Sequence, residues 1–260
     1  MTQSMEIGFS QRIRLEWLQQ TAELFLDGNS REQIEAALQG LLQDKLSVGG
    51  TAERGNREKA ITILLKVWVS VPTQLEALRN DGLELLQRLP PHDHLVVHWG
   101  MTMAVYPFFG VVAEAVGRLL RLQGSVTAAQ VQRRVREHLG ERETVARAAR
   151  RILRCFVDWN VLQETTEKGV YQAAPIRVVQ DKKLVAWLIE AALAASGSHS
   201  GALKAIAQGP ALFPFALGSL SVTEVQGNGR LELFRQGLDE DIVTFRGNRV
   251  SKSDHTTLAH

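Results

Sequence analysis

The feature that most limits what this chain can become is the run over residues 95–120, LVVHWGMTMAVYPFFGVVAEAVGRLL, whose first nineteen residues contain no Asp, Glu, Lys or Arg. Apolar surface on that scale must leave water, either for a bilayer or for a protein interior large enough to surround it. Pro107 argues for the interior. Its ring removes a backbone donor and clashes with the preceding turn, so a helix cannot run through it unbroken. Two shorter helices are expected instead, over 96–105 and 108–122, with Glu114 closing the apolar stretch. A helix needs about 20 apolar residues to cross the hydrocarbon core, and neither piece reaches that. Both are expected as buried core helices, with no membrane insertion.

The rest of the chain must then supply the wrapping, and at 260 residues with 45% hydrophobic residues it can do so. Before the core run the periodicity is helical. Over 11–26, Ile13, Trp17, Leu18, Thr21, Leu24 and Phe25 share one broad face, and Asp27-Gly28-Asn29 ends it. Ser30 with Gln33 forms a capping-box pattern for a second helix, 31–44. A Gly49-Gly50 loop leads to a third helix, 53–69. Thr73 with Glu76 offers another capping box after Pro72, opening a fourth stretch to Leu89 that Gly82 is placed to split. Pro90-Pro91 then marks a boundary.

Positive charge gathers in one segment. Between Arg118 and Arg154 there are ten arginines, no lysine and three acids, Glu137, Glu141 and Glu143; the whole chain nets +2, so the remainder is at about −5. On a helix over 144–158, Val145, Ala149, Ile152 and Phe156 recur at three- and four-residue steps and define a packing face. Arg147, Arg151 and Arg154 then fall on the opposite face, with Arg150 beside them. Such a helix packs on one side and presents guanidiniums to a phosphate chain on the other.

The flanks sharpen this. Ser125 and Thr127 are candidate caps for a preceding helix, 128–139, with Val131, Val135 and Leu139 along one side and Gly140 as its stop. Glu141-Arg142-Glu143 forms a short turn, and after Asn160 two short strands, 161–165 and 170–173, are joined around Lys168-Gly169. Helix, turn, basic helix and hairpin describe a winged helix-turn-helix with Lys168 at the wing tip. The expected contacts to double-stranded DNA are Arg133, Arg134, Arg142, Arg147, Arg150, Arg151, Arg154 and Lys168. A second contact is expected at the start of the third helix, where Arg54, Arg57 and Lys59 cluster. The competing uses of an arginine face are docking of a partner protein and simple solubility.

The C-terminal third differs in kind. A helix over 181–195 turns Leu184, Trp187, Leu188, Ala191 and Ala192 inward and is followed by a Ser/Gly-rich stretch, 196–201, and a short helix, 202–208. Two strands, 220–226 and 230–234, are expected around Gly227-Asn228-Gly229, with a third over 241–246. The fold class is therefore mainly α. A helical N-terminal domain with a candidate helix-turn-helix occupies 1–90, and core helices with a winged helix-turn-helix occupy 91–177. A small α+β unit follows over 178–246, and then a mobile tail, 247–260.

No catalytic constellation emerges, and no enzyme activity, metal or cofactor is expected. His92, Asp93, His94 and His98 form the densest ligand-type cluster, but the prolines before them place Asp93 as a helix cap. Asp239, Glu240 and Asp241 are consecutive acids at a turn, which suits solvent better than a divalent ion. Phosphate loop, dinucleotide fingerprint and nucleophile elbow are all missing from the sequence. The single cysteine, Cys155, excludes an intrachain disulfide and a cysteine-built zinc site and fits a reducing compartment. Within the arginine helix its thiol is a candidate for a lowered pKa or, more simply, a small packing residue. Residues 1–11 lack the basic segment and apolar run of a secretory leader, so a cytoplasmic location is expected.

Two segments carry a family resemblance. TAELFLDG, followed by REQIEAALQGLLQDKLSVGGTAERGNREKAITILLKVW with its Thr51-to-Arg54 turn, and much later TVARAARRILRCFVDWNVLQ before a short hairpin, resemble the small DNA-binding A component of bacteriophage-exclusion (BREX) defence systems. The resemblance covers roughly residues 21–89 and 127–193, leaving out HLVVHWGMTMAVYPFFG and the glycine-turn region after Gly201. It implies helical DNA-binding domains, no catalytic activity of their own, and other proteins of the same defence system as partners. Only the basic positions of the two helix-turn-helix elements carry over.

Overall fold

The computed structural model describes residues 7–46, 55–218, 221–236 and 240–246. The apolar run forms its centre. Helix α5 (His94–Val105) is buried at every residue from Leu95 to Val105, so it has no solvent face at all. Tyr106 leaves helical geometry, Pro107 takes the first position of α6 (Pro107–Gln123), and the chain turns by 117° between the two. Proline suits that position because its missing N–H is one that a helix start leaves unpaired in any case. No single helix among the described residues is long and apolar enough to cross a membrane.

Helices α1 (Leu15–Leu26), α3 (Asn56–Trp68), α4 (Glu76–Arg88) and α9 (Lys182–Ser196) pack on this pair, α2 (Arg31–Leu42) packs on α1 and α3, and α4 also touches α9. The capping box at Ser30 is formed, with the Gln33 N–H donating to Ser30 Oγ and the Gln33 side chain accepting from the Ser30 N–H. The one expected at Thr73 is not: residues 73–75 make a 3-10 turn and α4 starts at Glu76 without a side-chain cap. Gly82 does not split α4. It lies buried within the helix because a Cβ there would sit 3.0 Å from the Trp187 ring. Gly100 plays the same part on α5, where a Cβ would stand 2.6 Å from Trp187. These two glycines let α4 and α5 close on the same indole, whose Nε1 donates to the Leu78 carbonyl at 2.8 Å.

Trp99 is the hub of the core. Its ring stacks on Phe156 at 4.9 Å and meets Phe109, Phe213, Phe215 and Trp159 edge-on at 5.0–6.1 Å. Edge-on and offset contacts are those that aromatic quadrupoles favour. One hydrophobic cluster therefore runs from Phe9 to Phe215 and draws on all three segments that the sequence suggested as domains.

After α6, β1 (Ser125–Thr127), α7 (Ala128–Leu139), α8 (Glu143–Asp158), β2 (Leu162–Glu164) and β3 (Val170–Ala173) follow in order. Their strands form an antiparallel sheet ordered β1-β3-β2, with Val126 opposite Tyr171 and Gln163 opposite Gln172. Strand β4 (Arg177–Val179) then pairs in parallel with β6 (Phe215–Leu217), a long-range match not foreseen from sequence.

The last unit contains β5 (Ser200–Ala202), α10 (Leu203–Ala207), α11 (Val222–Gln226), β7 (Leu231–Gln236) and β8 (Glu240–Phe245), with the antiparallel order β5-β8-β7. Here one expectation fails. The expected strand over 220–226 is helical from Val222 to Gln226, and the hairpin is made by β7 and β8. The reason is a capping box missed beneath the glycine signal: Ser221 Oγ accepts from the Glu224 N–H while the Glu224 carboxylate accepts from the Ser221 N–H. Arg230 ties this unit inward, bonding the buried Glu190 carboxylate at 2.7 and 2.9 Å and also Asp81.

Candidate nucleic-acid interface

Local chemistry fixes the two helices that matter. Thr127 caps α7, its Oγ1 accepting from the Gln130 N–H at 3.2 Å while Gln130 Oε1 accepts from the Thr127 N–H at 2.8 Å. Gly140 ends the helix at φ +91°, a backbone region that favours glycine, and redirects the chain into α8. On α8 the sequence-derived packing face is realised in full, since Val145, Ala149, Ile152 and Phe156 have no exposed surface. Arg147, Arg150 and Arg154 lie exposed on the other face.

Arg151 is different. It is half-buried and its guanidinium donates to the Ser10 carbonyl. Residues 10–13 lie across the C-terminal half of α8 and hold it at four points. Besides the Arg151 bond, Arg12 makes a bidentate pair with Asp158, the Ile13 N–H donates to Cys155 Sγ at 3.2 Å, and Trp159 Nε1 donates to the Ile13 carbonyl at 2.9 Å. Arg151 thus commits one end of its guanidinium to the fold, and Arg12 enters the basic region that sequence reading confined to 118–154. No sequence signal joins positions 146 residues apart.

The remaining arginines carry light attachments. Arg133 and Arg134 both approach Glu137, at 3.7 and 3.2 Å; Arg136 approaches Glu141 at 3.5 Å, and Arg147 approaches Glu143 at 3.7 Å. Arg142 reaches the Leu139 carbonyl at 3.4 Å. Exposed pairs of this kind are worth about 0–1 kcal/mol and are readily exchanged. Arg150 and Arg154 have no ion-pair or hydrogen-bond partner among the described residues.

Lys168 is exposed in the turn between β2 and β3. Gly169, at φ +81°, shapes that turn and donates its N–H to Glu164 Oε1 at 3.0 Å. At the N-terminal patch, Arg57 is committed to the fold, donating to the carbonyls of Gln43 at 2.8 Å and Leu46 at 3.4 Å, where it serves the end of α2. Arg54 lies outside the described residues, as does the expected tail over 247–260.

The other candidate groups are drawn into the core. The Gln19 side-chain amide bridges His94 Nδ1 at 3.0 Å and His98 Nε2 at 2.8 Å, while His94 Nε2 faces the Leu89 carbonyl at 3.0 Å. His92 points elsewhere, towards Asp93 at 3.7 Å, and Asp93 provides no side-chain cap. Among the described residues no group of three or more His, Cys, Asp or Glu side chains converges as metal ligands do. Burial, with a smaller contribution from His94, lowers the His98 pKa to about 3. The Cys155 thiol is shifted opposite to the lowered pKa suggested by its arginine neighbours. Burial pushes it up to about 12, which leaves it a packing atom.

No protein-family model, curated protein or solved structure matches this chain.

Proposed function

We propose that this chain is a noncatalytic protein that binds double-stranded DNA through a winged helix, with α7 and α8 as the helix-turn-helix and the β2–β3 turn as the wing. The observation that carries the reading is the pair Arg150 and Arg154. Both are exposed and unpartnered among the described residues, on a helix whose opposite face is locked into the core. Arg147 extends the same stripe, and Arg147 to Arg154 covers about 10 Å along the axis, compatible with a major groove about 12 Å wide. Arg142 lies at the start of the helix and Lys168 on the neighbouring turn, where they would take flanking phosphates. Arg151 and Arg57 are assigned to the fold and not to DNA.

The resemblance to the A component of bacteriophage-exclusion systems supports the same role and adds an accessory place in phage defence, beside other proteins of the system. A gel-mobility shift with a duplex tests the DNA reading. A complex that dissociates as salt rises is expected, lost on Arg150→Glu with Arg154→Glu and retained on Arg31→Glu, an exposed arginine on α2. A complex that survives the double reversal in folded protein, or no complex at low salt, overturns it.

A further inference from the structure

An ion pair that residue spacing on α8 favours does not form. An arginine and an acid four residues apart on a helix share a face and lie within reach of each other. Elsewhere this chain closes such pairs, Arg118 with Glu114, Arg133 with Glu137 and Arg147 with Glu143. Asp158 stands four residues after Arg154 and continues the stripe of Arg147, Arg150 and Arg154 at its C-terminal end. Yet Arg154 is exposed and has no ion-pair or hydrogen-bond partner among the described residues.

Arg12, 146 residues away in the chain, is the reason. Its Nε donates to Asp158 Oδ2 and its Nη2 to Oδ1, so both carboxylate oxygens are taken. A bidentate pair of this kind is stronger and better fixed in direction than a single exposed contact. The chain around Arg12 is anchored independently of the pair. Phe9 and Ile13 have no exposed surface, the Ile13 N–H and carbonyl bond to Cys155 Sγ and Trp159 Nε1, and the Gln11 amide donates to Asn56 Oδ1 at 3.1 Å. Arg12 is thereby delivered to the end of α8. Without it, Asp158 would be free to take Arg154, at a helix end whose dipole is already negative.

We infer that Arg12 is a positioning residue of the DNA-binding face: by holding both oxygens of Asp158 it leaves Arg154 free to take a phosphate. The inference rests on the DNA reading above and deepens it, since it names what keeps the last arginine of the stripe available.

Fluorescence anisotropy with a labelled duplex over a salt series tests it on Arg12→Ala, Asp158→Asn and the double variant. In Arg12→Ala, Asp158 takes Arg154 and one phosphate contact is lost. The slope of log affinity against log salt should become shallower by about 0.9, and affinity at 50 mM salt should fall about 10-fold. Asp158→Asn removes the competitor and should bind at least as tightly as wild type. The double variant should recover the wild-type slope although it lacks Arg12. A purely structural tie predicts otherwise, because Asp158→Asn breaks the pair as surely as Arg12→Ala does. Asp158→Asn that weakens binding as much as Arg12→Ala therefore overturns the inference. So does a double variant as weak as Arg12→Ala, which would make Arg12 itself a DNA contact. Thiol labelling of Cys155, whose Sγ accepts from the Ile13 N–H, reports whether residues 10–13 stay in place. Equal rates in wild type and Arg12→Ala are expected, and faster labelling of the variant assigns Arg12 to the fold and overturns the positioning role. A wild type that binds no duplex, or still binds after Arg150→Glu with Arg154→Glu, fails the DNA reading and this inference with it. A wild type that passes both while the Asp158→Asn variants fail leaves the DNA reading standing and removes this inference alone.

Discussion

Replacing Arg147, Arg150 and Arg154 together by Ala isolates the exposed stripe of α8 from its packing face. The buried side chains are untouched, the only attachment lost among the described residues is the 3.7 Å contact of Arg147 with Glu143, and alanine is the better helix former. Helix content and melting temperature should therefore change little. Arg151 is left in place because its bond to Ser10 would confound fold and binding. Each phosphate contact contributes about 0.9 to the slope of log affinity against log salt, so three lost contacts make it shallower by about 2.7. Between 50 and 200 mM salt that is about a 40-fold difference in how far wild type and variant weaken. Fluorescence anisotropy with a labelled duplex at several salt concentrations measures it. A folded triple variant with unchanged affinity and slope would refute the assignment of α8 as the DNA helix. If instead the loss appeared on one DNA sequence only, at least one of the three arginines reads a base edge.

Phe109→Ala removes a fully buried ring in contact with Phe9, Trp99, Phe156 and Trp159; a loss of about 3–5 kcal/mol is expected in denaturant unfolding, and a loss below 1 kcal/mol would contradict the packing. Stability should also depend on pH through His98. The folded state keeps it neutral down to about pH 3 while the unfolded chain takes a proton near pH 6.5, so its contribution is complete above about 6.5 and shrinks by about 1.4 kcal/mol per unit below it. His98→Leu should flatten that part of the profile, and an unchanged slope would remove His98 as the cause. Cys155, with its pKa near 12, should resist thiol reagents at neutral pH until the protein unfolds; rapid labelling of native protein would show that the contact with residues 10–13 opens.

What the sequence determined by itself was local. Pro107 set the break between α5 and α6, Ser30 and Thr127 set helix starts, Gly140 set the turn before α8, and three- and four-residue spacing told Val145, Ala149, Ile152 and Phe156 from the arginines opposite. Each depends on neighbours within a turn or two, so composition and spacing suffice. The failure at 220–226 was also local: a capping box and a glycine turn competed for the same residues, and the helix won because Ser221 and Glu224 satisfy each other's backbone groups.

Tertiary structure alone decided which arginines remain available. Arg151 and Arg154 are three positions apart and alike in sequence, yet one donates to Ser10 and the other has no partner among the described residues. Arg57 resembled a phosphate contact until the carbonyls of Gln43 and Leu46 were brought to it. The thiol of Cys155 looked activated by the arginines around it in sequence, but the fold places it inward, where desolvation raises its pKa and outweighs the opposing pull of Arg12 and of the Ile13 N–H. A guanidinium or a thiol takes its role from the groups that approach it, and here those groups come from up to 142 residues away, a distance over which residue pattern carries no information about contact.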